Sequence, residues 1–387
     1  MALDFRPKGM LLATCGADLE SQTWIRIWEL KVEGDVVVPM HMDDLAGTHE
    51  RTVNVVRFSP NGRWLASGAD DGCVVLWELR MKQVFGENRE VEGWAPYRIL
   101  RGHSAEIHDL CWSGDSQRLA TASMDKSCIV FHAEKAKVLQ RLEGHKHYVQ
   151  GVTWHKHLIA TQSCDRTVRI YKQGDTGFFC KHVITSFQDQ KLFQDPAASS
   201  AFFRRLSFSP DGALLVTPAG LYGEVSLTHC FFKKNLNVPI CSFPVAGQVR
   251  SCAIAVRFCP VLFVPGTTSE FLAKLPHKLV WAVATRESVH LYTSEVLTPV
   301  ASFQHFHYDS LSDVAWLGAS MLAISSLDGY VSFVIVPEGQ FGEPLSVVEE
   351  EVESVEQTDS AAAEAQAPTA EVPRNDGKRR IQPVMVA

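Results

Sequence analysis

Four histidines fall in two close pairs, His145-x-His147 and His155-x-His157, and four aspartates, Asp71, Asp125, Asp165 and Asp328, sit in short turns between apolar runs. Imidazoles at that spacing suit a transition metal, and carboxylates in turns suit acid–base work. Neither set has its remaining parts. No Cys or carboxylate completes a recognised ligand spacing around the histidines. His108, with Asp109 and Ser104 beside it, has no nucleophile motif around it, and neither a phosphate loop nor a dinucleotide fingerprint occurs. The sequence therefore gives no residues on which to found an enzyme, a metal site or a cofactor site.

The same residues have fixed places in a repeat. Arg101–Phe131 and Glu143–Tyr171 are one pattern written twice. Gly102-His103 and Gly144-His145 open the units, and apolar runs ending in Trp112 and Trp154 follow. Second runs, Leu119–Ser123 and Leu158–Ser163, lead to Asp125 and Asp165, and a third run closes on Phe131 or Tyr171. An earlier unit carries His49, Asp71 and Trp77. A period of roughly 40 residues with these landmarks is that of a WD-repeat β-propeller. Such short strands cannot bury both faces alone, so the units must pack side by side around a ring. In that setting the imidazole of His145 is expected to bond Ser163 and Asp165, and that of His103 to bond Ser123 and Asp125, tying the layers of a blade. Asp71, Trp77 and Asp328 take equivalent structural places.

Taken in order, the chain reads as seven blades. Ala2–Phe5 matches the first strand of a unit, so the sequence opens inside blade one. Blade two runs from His49 to Trp77 with Ser59-Pro-Asn-Gly62 as a turn, and Met81–Pro96 reads as a charged rim connection. After blades three and four, Gln173–Ser200 shows no periodicity. Blade five resumes with a strand over Phe202–Phe208, and blade six uses Ala253–Phe258, Leu279–Ala284 and Val289–Tyr292. Blade seven spans Leu311–Val336, and with Met1 already in an inner strand its outer strand has no evident source other than Leu345–Val348. An unfilled edge there would invite aggregation.

The 387 residues, 46% of them hydrophobic, suffice for a large core. No apolar run approaches the ~18 residues of a membrane span, and the N-terminus lacks a signal-peptide layout. The ten cysteines are scattered and read as reduced thiols of a cytosolic or nuclear protein. Residues 343–372 contain nine acids and no Lys or Arg, and 373–387 contain four basic residues against one acid. Of the total charge of −7, this leaves 1–342 at only −1, so DNA contact is expected to be indirect. The expected organisation is an all-β seven-bladed propeller over 1–340, a disordered acidic linker over 341–372, and a short docking motif over 373–387. That motif, Lys378-Arg379-Arg380-Ile381-Gln382-Pro383-Val384-Met385-Val386, is a basic cluster entering an apolar, β-prone run. Such a segment can add as a strand to another protein's sheet edge, where Pro383 is tolerated.

Several stretches carry a family resemblance: Asn54-Val-Val-Arg-Phe-Ser-Pro60, His147–Trp154, Phe202–Phe208 with Pro210-Asp-Gly212, Thr217-Pro-Ala-Gly220, Leu311-Ser-Asp313, and Leu322–Ser326 with Asp328-Gly-Tyr330. Over roughly residues 1–340 the chain resembles the WD-repeat middle subunits of chromatin assembly factor 1, the replication-coupled histone chaperone. The resemblance implies a nuclear, non-enzymatic scaffold that acts with a large and a small subunit to bring new core histones to replicating or repaired DNA. It also implies that Lys378, Arg379, Arg380, Ile381 and Pro383 bind the anti-silencing-function histone chaperone, a motif shared with HIR-type, replication-independent histone-deposition proteins. The HIR-type role and that of a generic propeller adaptor are the alternatives. The sequence departs from this family in starting about one strand late, and from the commonest repeat in closing two units with Phe131 and Tyr171 rather than Trp.

Overall fold

Strands whose two faces are both apolar require a sheet on either side. In the computed structural model, which describes residues 2–17, 23–34, 36–83, 90–195, 202–244, 252–266 and 275–345, seven antiparallel sheets meet this need in a ring. Blade one contains β1 (Ala2–Phe5), β2 (Leu11–Ala17), β3 (Thr23–Glu33) and β4 (Val36–Asp44). Blade two contains β5 (Val53–Phe58), β6 (Trp64–Ala69), β7 (Cys73–Gln83) and β8 (Glu90–Arg101). Blade three contains β9 (Ile107–Trp112), β10 (Arg118–Ser123), β11 (Cys128–His132) and β12 (Lys137–Leu142). Blade four contains β13 (Val149–His155), β14 (Leu158–Ser163), β15 (Thr167–Gly174) and β16 (Gly177–Ile184). A small hairpin, β17 (Ser186–Phe187) with β18 (Gln190–Lys191), precedes blade five. Blade five contains β19 (Ser207–Phe208), β20 (Leu214–Tyr222), β21 (Val225–Phe232) and β22 (Cys241–Pro244). Blade six contains β23 (Ala253–Phe258), β24 (Val280–Thr285), β25 (Ser288–Thr293) and β26 (Val296–Gln304). Blade seven has three strands among the described residues, β27 (Leu311–Leu317), β28 (Met321–Ser326) and β29 (Val331–Ile335).

The ring is closed. Inner strands adjoin in the order β1, β5, β9, β13, β19, β23, β27 and back to β1. Each of the seven seams between neighbouring blades holds its own apolar cluster. Ile27, Val56 and Trp77 mark that between blades one and two, and Leu3, Leu12 and Ala323 that between blades one and seven. Second strands such as β6, β14, β24 and β28 are buried along their whole length, because a sheet covers each face. Turns between first and second strands are tight. Gly62 and Gly212 take φ of +69° and +68° at the ends of the Pro-Asn-Gly and Pro-Asp-Gly turns, a conformation that favours glycine.

Several expectations need correction. Met81–Pro96 is no loose rim connection: β7 and β8 run through most of it as a long hairpin. The stretch 173–200 supplies β16, the outer strand of blade four, and the small hairpin. Only Ser207–Phe208 of the strand expected over Phe202–Phe208 joins blade five. Leu345 does not complete blade seven. Its N–H bonds Leu262 O, and Pro344 bridges Phe263, in the connection between β23 and β24; residues 346–348 lie outside the described residues. The chain also stays docked beyond residue 340, with Phe341 buried against Phe263 and Trp316. All ten cysteines are free.

Candidate interaction site: the plugged axis and the blade-closing histidines

The repeat's polar residues form the blade-closing networks, with one change of partner. In blade two, His49 Nδ1 lies 2.9 Å from Asp71, its Nε2 lies 2.8 Å from Ser67 Oγ, and Trp77 Nε1–H donates to that Oγ at 2.9 Å. His103 and His145 bond Asp125 and Asp165 through Nδ1 at 2.8 and 2.9 Å as expected. Their Nε2 partners are Thr121 (2.7 Å) and Thr161 (2.8 Å), not Ser123 and Ser163. Those serines instead donate to Ala105 O and His147 O and accept the N–H of the turn aspartates. The physical reason is register. Two residues apart on a strand means the same face, and the hydroxyl four residues before the aspartate is the one level with the imidazole.

Burial lowers the pKa of His103 and His145 despite their carboxylate partners, so each is a neutral ring whose Nδ1–H donates to Asp. Burial of Asp125 is outweighed by bonds from His103, Ser127 and Arg141, which hold its carboxyl well below the usual range. In blade seven, His307 Nδ1 bonds Asp328 at 2.9 Å, but Ile324 occupies the hydroxyl position and His307 Nε2 has no partner. The four clustered histidines split apart: His145 and His147 precede β13, whereas His155 ends it and His157 follows. Among the described residues no group of three metal-type ligands converges.

The segment that should have been an inner strand does something else. Residues before β19 lie between blades four and six without joining the ladder of blade five. Arg204 N–H bonds Gln150 O of blade four, Arg205 N–H bonds Ile254 O, and Val256 N–H bonds Arg205 O in blade six. Gly151 is required beside this segment, since a Cβ there would lie 2.0 Å from Arg204 O. The Arg205 side chain, fully buried, then reaches through the ring. Its guanidinium donates to Ser312 O (2.9 Å, blade seven), Asn54 O (2.9 Å, blade two) and His108 O (3.5 Å, blade three). It pairs with Asp313 at 3.2 Å and Asp109 at 3.5 Å. Arg57 reaches Asp313 at 2.8 Å and Asp109 at 3.7 Å, and Arg257 reaches Asp313 at 3.5 Å. Asp4, half-buried beside them, accepts Phe58 N–H at 2.8 Å. Three guanidiniums and three carboxylates thus fill the axis with ions. Burial pushes Asp4 up to about 6 against the pull of Arg57, whereas the three arginines hold Asp313, also buried, far below its usual range. Phe203 lies against the Arg205 guanidinium at 4.0 Å, and His108, packed on Phe202, is pushed down to about 4 by burial and by Arg205. Sequence reasoning missed this plug. Its one signal was Arg204-Arg205 inside an otherwise apolar run.

The class these features define is the seven-bladed WD-repeat propeller, here with a buried ion cluster joining its inner strands. The chain belongs to the family described as the CAF1B/HIR1 beta-propeller domain, which matches residues 4–341. It is 37% identical to a chromatin assembly factor 1 subunit of Mus musculus, over 90% of this chain and 65% of that protein. With the "Chromatin assembly factor 1 subunit FAS2 homolog" of Oryza sativa subsp. japonica it shares 36% identity, over 90% of this chain and 72% of the relative. The chain thus spans about two thirds of the length of these assembly-factor relatives. "Protein hir1" of Schizosaccharomyces pombe is 31% identical over 89% of this chain but only 36% of its own length. Of the residues expected to bind partners, Lys378, Arg379, Arg380, Ile381 and Pro383 lie outside the described residues.

Proposed function

We propose that this chain is a non-enzymatic scaffold subunit of a nuclear chromatin assembly factor 1 complex, which promotes deposition of newly made core histones onto replicating or repaired DNA. The observation that carries this reading is the family match across the whole ring, with better coverage of the assembly-factor subunits than of the HIR1-type protein. Large and small subunits of the same complex are the expected partners, and DNA is reached through them. Affinity purification of the full chain from nuclear extract tests this. Recovery of the large assembly-factor subunit supports it, and recovery of a replication-independent deposition complex instead overturns it.

The C-terminal segment Lys378–Val386 is proposed to dock the anti-silencing-function histone chaperone as an added strand. Arg379, Ile381 and Pro383 share one side of an extended strand, and the basic cluster steers it to an acidic partner. Ile381→Ala in the full chain should weaken binding of the purified chaperone by roughly thirtyfold, the loss of an anchor of ~2 kcal/mol. Unchanged affinity after deletion of 373–387 would place the contact on the propeller.

A further inference from the structure

Blade seven differs from its neighbours on the face that carries the histidine loops. Tyr308, in the loop between β26 and β27, is 96% exposed, Tyr330 is 65% exposed, and Leu327 beside it is 55% exposed. These side chains are free, yet their backbone is held. Asp328 accepts the N–H of Tyr308 through Oδ2 and the N–H of Tyr330 through Oδ1, both at 2.9 Å, while Oδ2 also takes His307 Nδ1–H. Leu327 N–H bonds Ser310 O at 2.9 Å. One carboxylate therefore fixes two tyrosines side by side on a rigid loop pair. Aromatic side chains presented this way bind with little entropic loss, because only their own two torsions remain to be ordered.

Next to Tyr308 lies a cavity of about 330 Å³, lined also by Glu287, His305 and Asp309. Neither Glu287 nor Asp309 has an ion-pair partner among the described residues. Arg286, the neighbouring cation, donates Nε–H to Ser310 Oγ at 3.1 Å. Carboxylates in a recess with a tyrosine at the rim are complementary to an ammonium or guanidinium, through charge-assisted hydrogen bonds and ring-face attraction.

We propose that this face of blade seven is a docking site for a protein segment that presents a lysine or arginine: the cation enters the cavity beside Glu287 and Asp309, and Tyr308 and Tyr330 pack on its aliphatic stem and apolar neighbours. The site is separate from the C-terminal segment and stands or falls without it. The full chain is panned against a random dodecapeptide display library, with counter-selection on the Tyr308→Ala/Tyr330→Ala variant. The best discriminating peptide is then synthesised and its affinity measured by anisotropy. Discriminating peptides should be enriched in Lys or Arg beside apolar residues. Binding should weaken at least tenfold with the double tyrosine variant and with Glu287→Gln/Asp309→Asn, and should weaken further as salt is raised. All four positions are loop residues, and melting curves of the variants should match that of the parent chain. Failure to recover any discriminating peptide overturns the proposal. So does recovery of acidic or purely apolar peptides, or full affinity in the Glu287→Gln/Asp309→Asn variant.

Discussion

Replacing Arg205 with Met tests whether the axial ion cluster holds the ring together. Methionine fills much of the aliphatic volume of arginine, so the change removes charge and donors rather than opening a large cavity. Asp313 keeps Arg57 at 2.8 Å and Arg257 at 3.5 Å, but Asp109 is left with Arg57 at 3.7 Å and one N–H bond, from Val152 at 3.1 Å. The cluster becomes net negative, and Asn54 O, His108 O and Ser312 O each lose a donor. Removing one member of a buried ion cluster typically costs about 3–5 kcal/mol. Native domains are stable by only about 5–15 kcal/mol, so roughly a fifth or more of the total is at stake. Urea unfolding followed by tryptophan fluorescence should show a lower midpoint at unchanged slope. Adding Asp109→Asn to Arg205→Met rebalances the charge and should recover about 2 kcal/mol. A single-variant loss below about 1 kcal/mol would refute the reasoning, because it would mean that the carboxylates are hydrated through an open channel.

The other predictions concern single groups. Asp4 binds its proton more tightly in the native protein, with a pKa near 6 against 3.8 when exposed, so its contribution is best below pH 4 and is lost as pH rises through 6. The rise corresponds to about 3 kcal/mol, and Asp4→Asn should therefore stabilise at pH 7.5 by on the order of 2 kcal/mol and not at all near pH 4, as read from urea midpoints at both pH values. Gly151→Ala should lose at least about 3 kcal/mol, since the added methyl meets backbone and not a movable side chain, whereas Gly114→Ala, with open space around its Cβ position, serves as the neutral control in thermal melts. Thr121→Val keeps shape but orphans His103 Nε2 and should cost about 1–3 kcal/mol in urea unfolding, while Ser123→Ala, which leaves the imidazole bonds intact, should cost less.

The three inner strands of most blades were legible because each is apolar on both faces and punctuated by His, Asp and Gly at fixed offsets. Outer strands were not. β4 is exposed along almost its whole length, so no period of burial marks it, and β8 and β16 fell in stretches read as a connection and a break. The histidine–aspartate pairs were readable from spacing, but the hydroxyl partner was placed one alternation too far along. Same-face periodicity cannot separate Thr121 from Ser123, and the β9–β10 register shifts between Ala122 and Ser123. The axial plug was invisible for a different reason. Phe202–Phe208 has the composition of a strand, and what diverts it is the need of Arg205 for carboxylates and carbonyls that lie about a hundred residues or more away in sequence.

That separation has a kinetic consequence. Arg205 takes its acceptors from positions 97 and 151 residues earlier and 107 residues later in the chain. At a synthesis rate of about 5–20 residues per second, roughly 5–20 s pass between the emergence of Arg205 and that of Ser312. Until then the guanidinium has no complete set of partners, and the centre of the nascent ring must stay wet. Blades one to six can form their own hairpins in this interval, but the dry axis waits for blade seven. The last blade made thus sets the moment at which a string of neighbouring sheets becomes a single cooperative body.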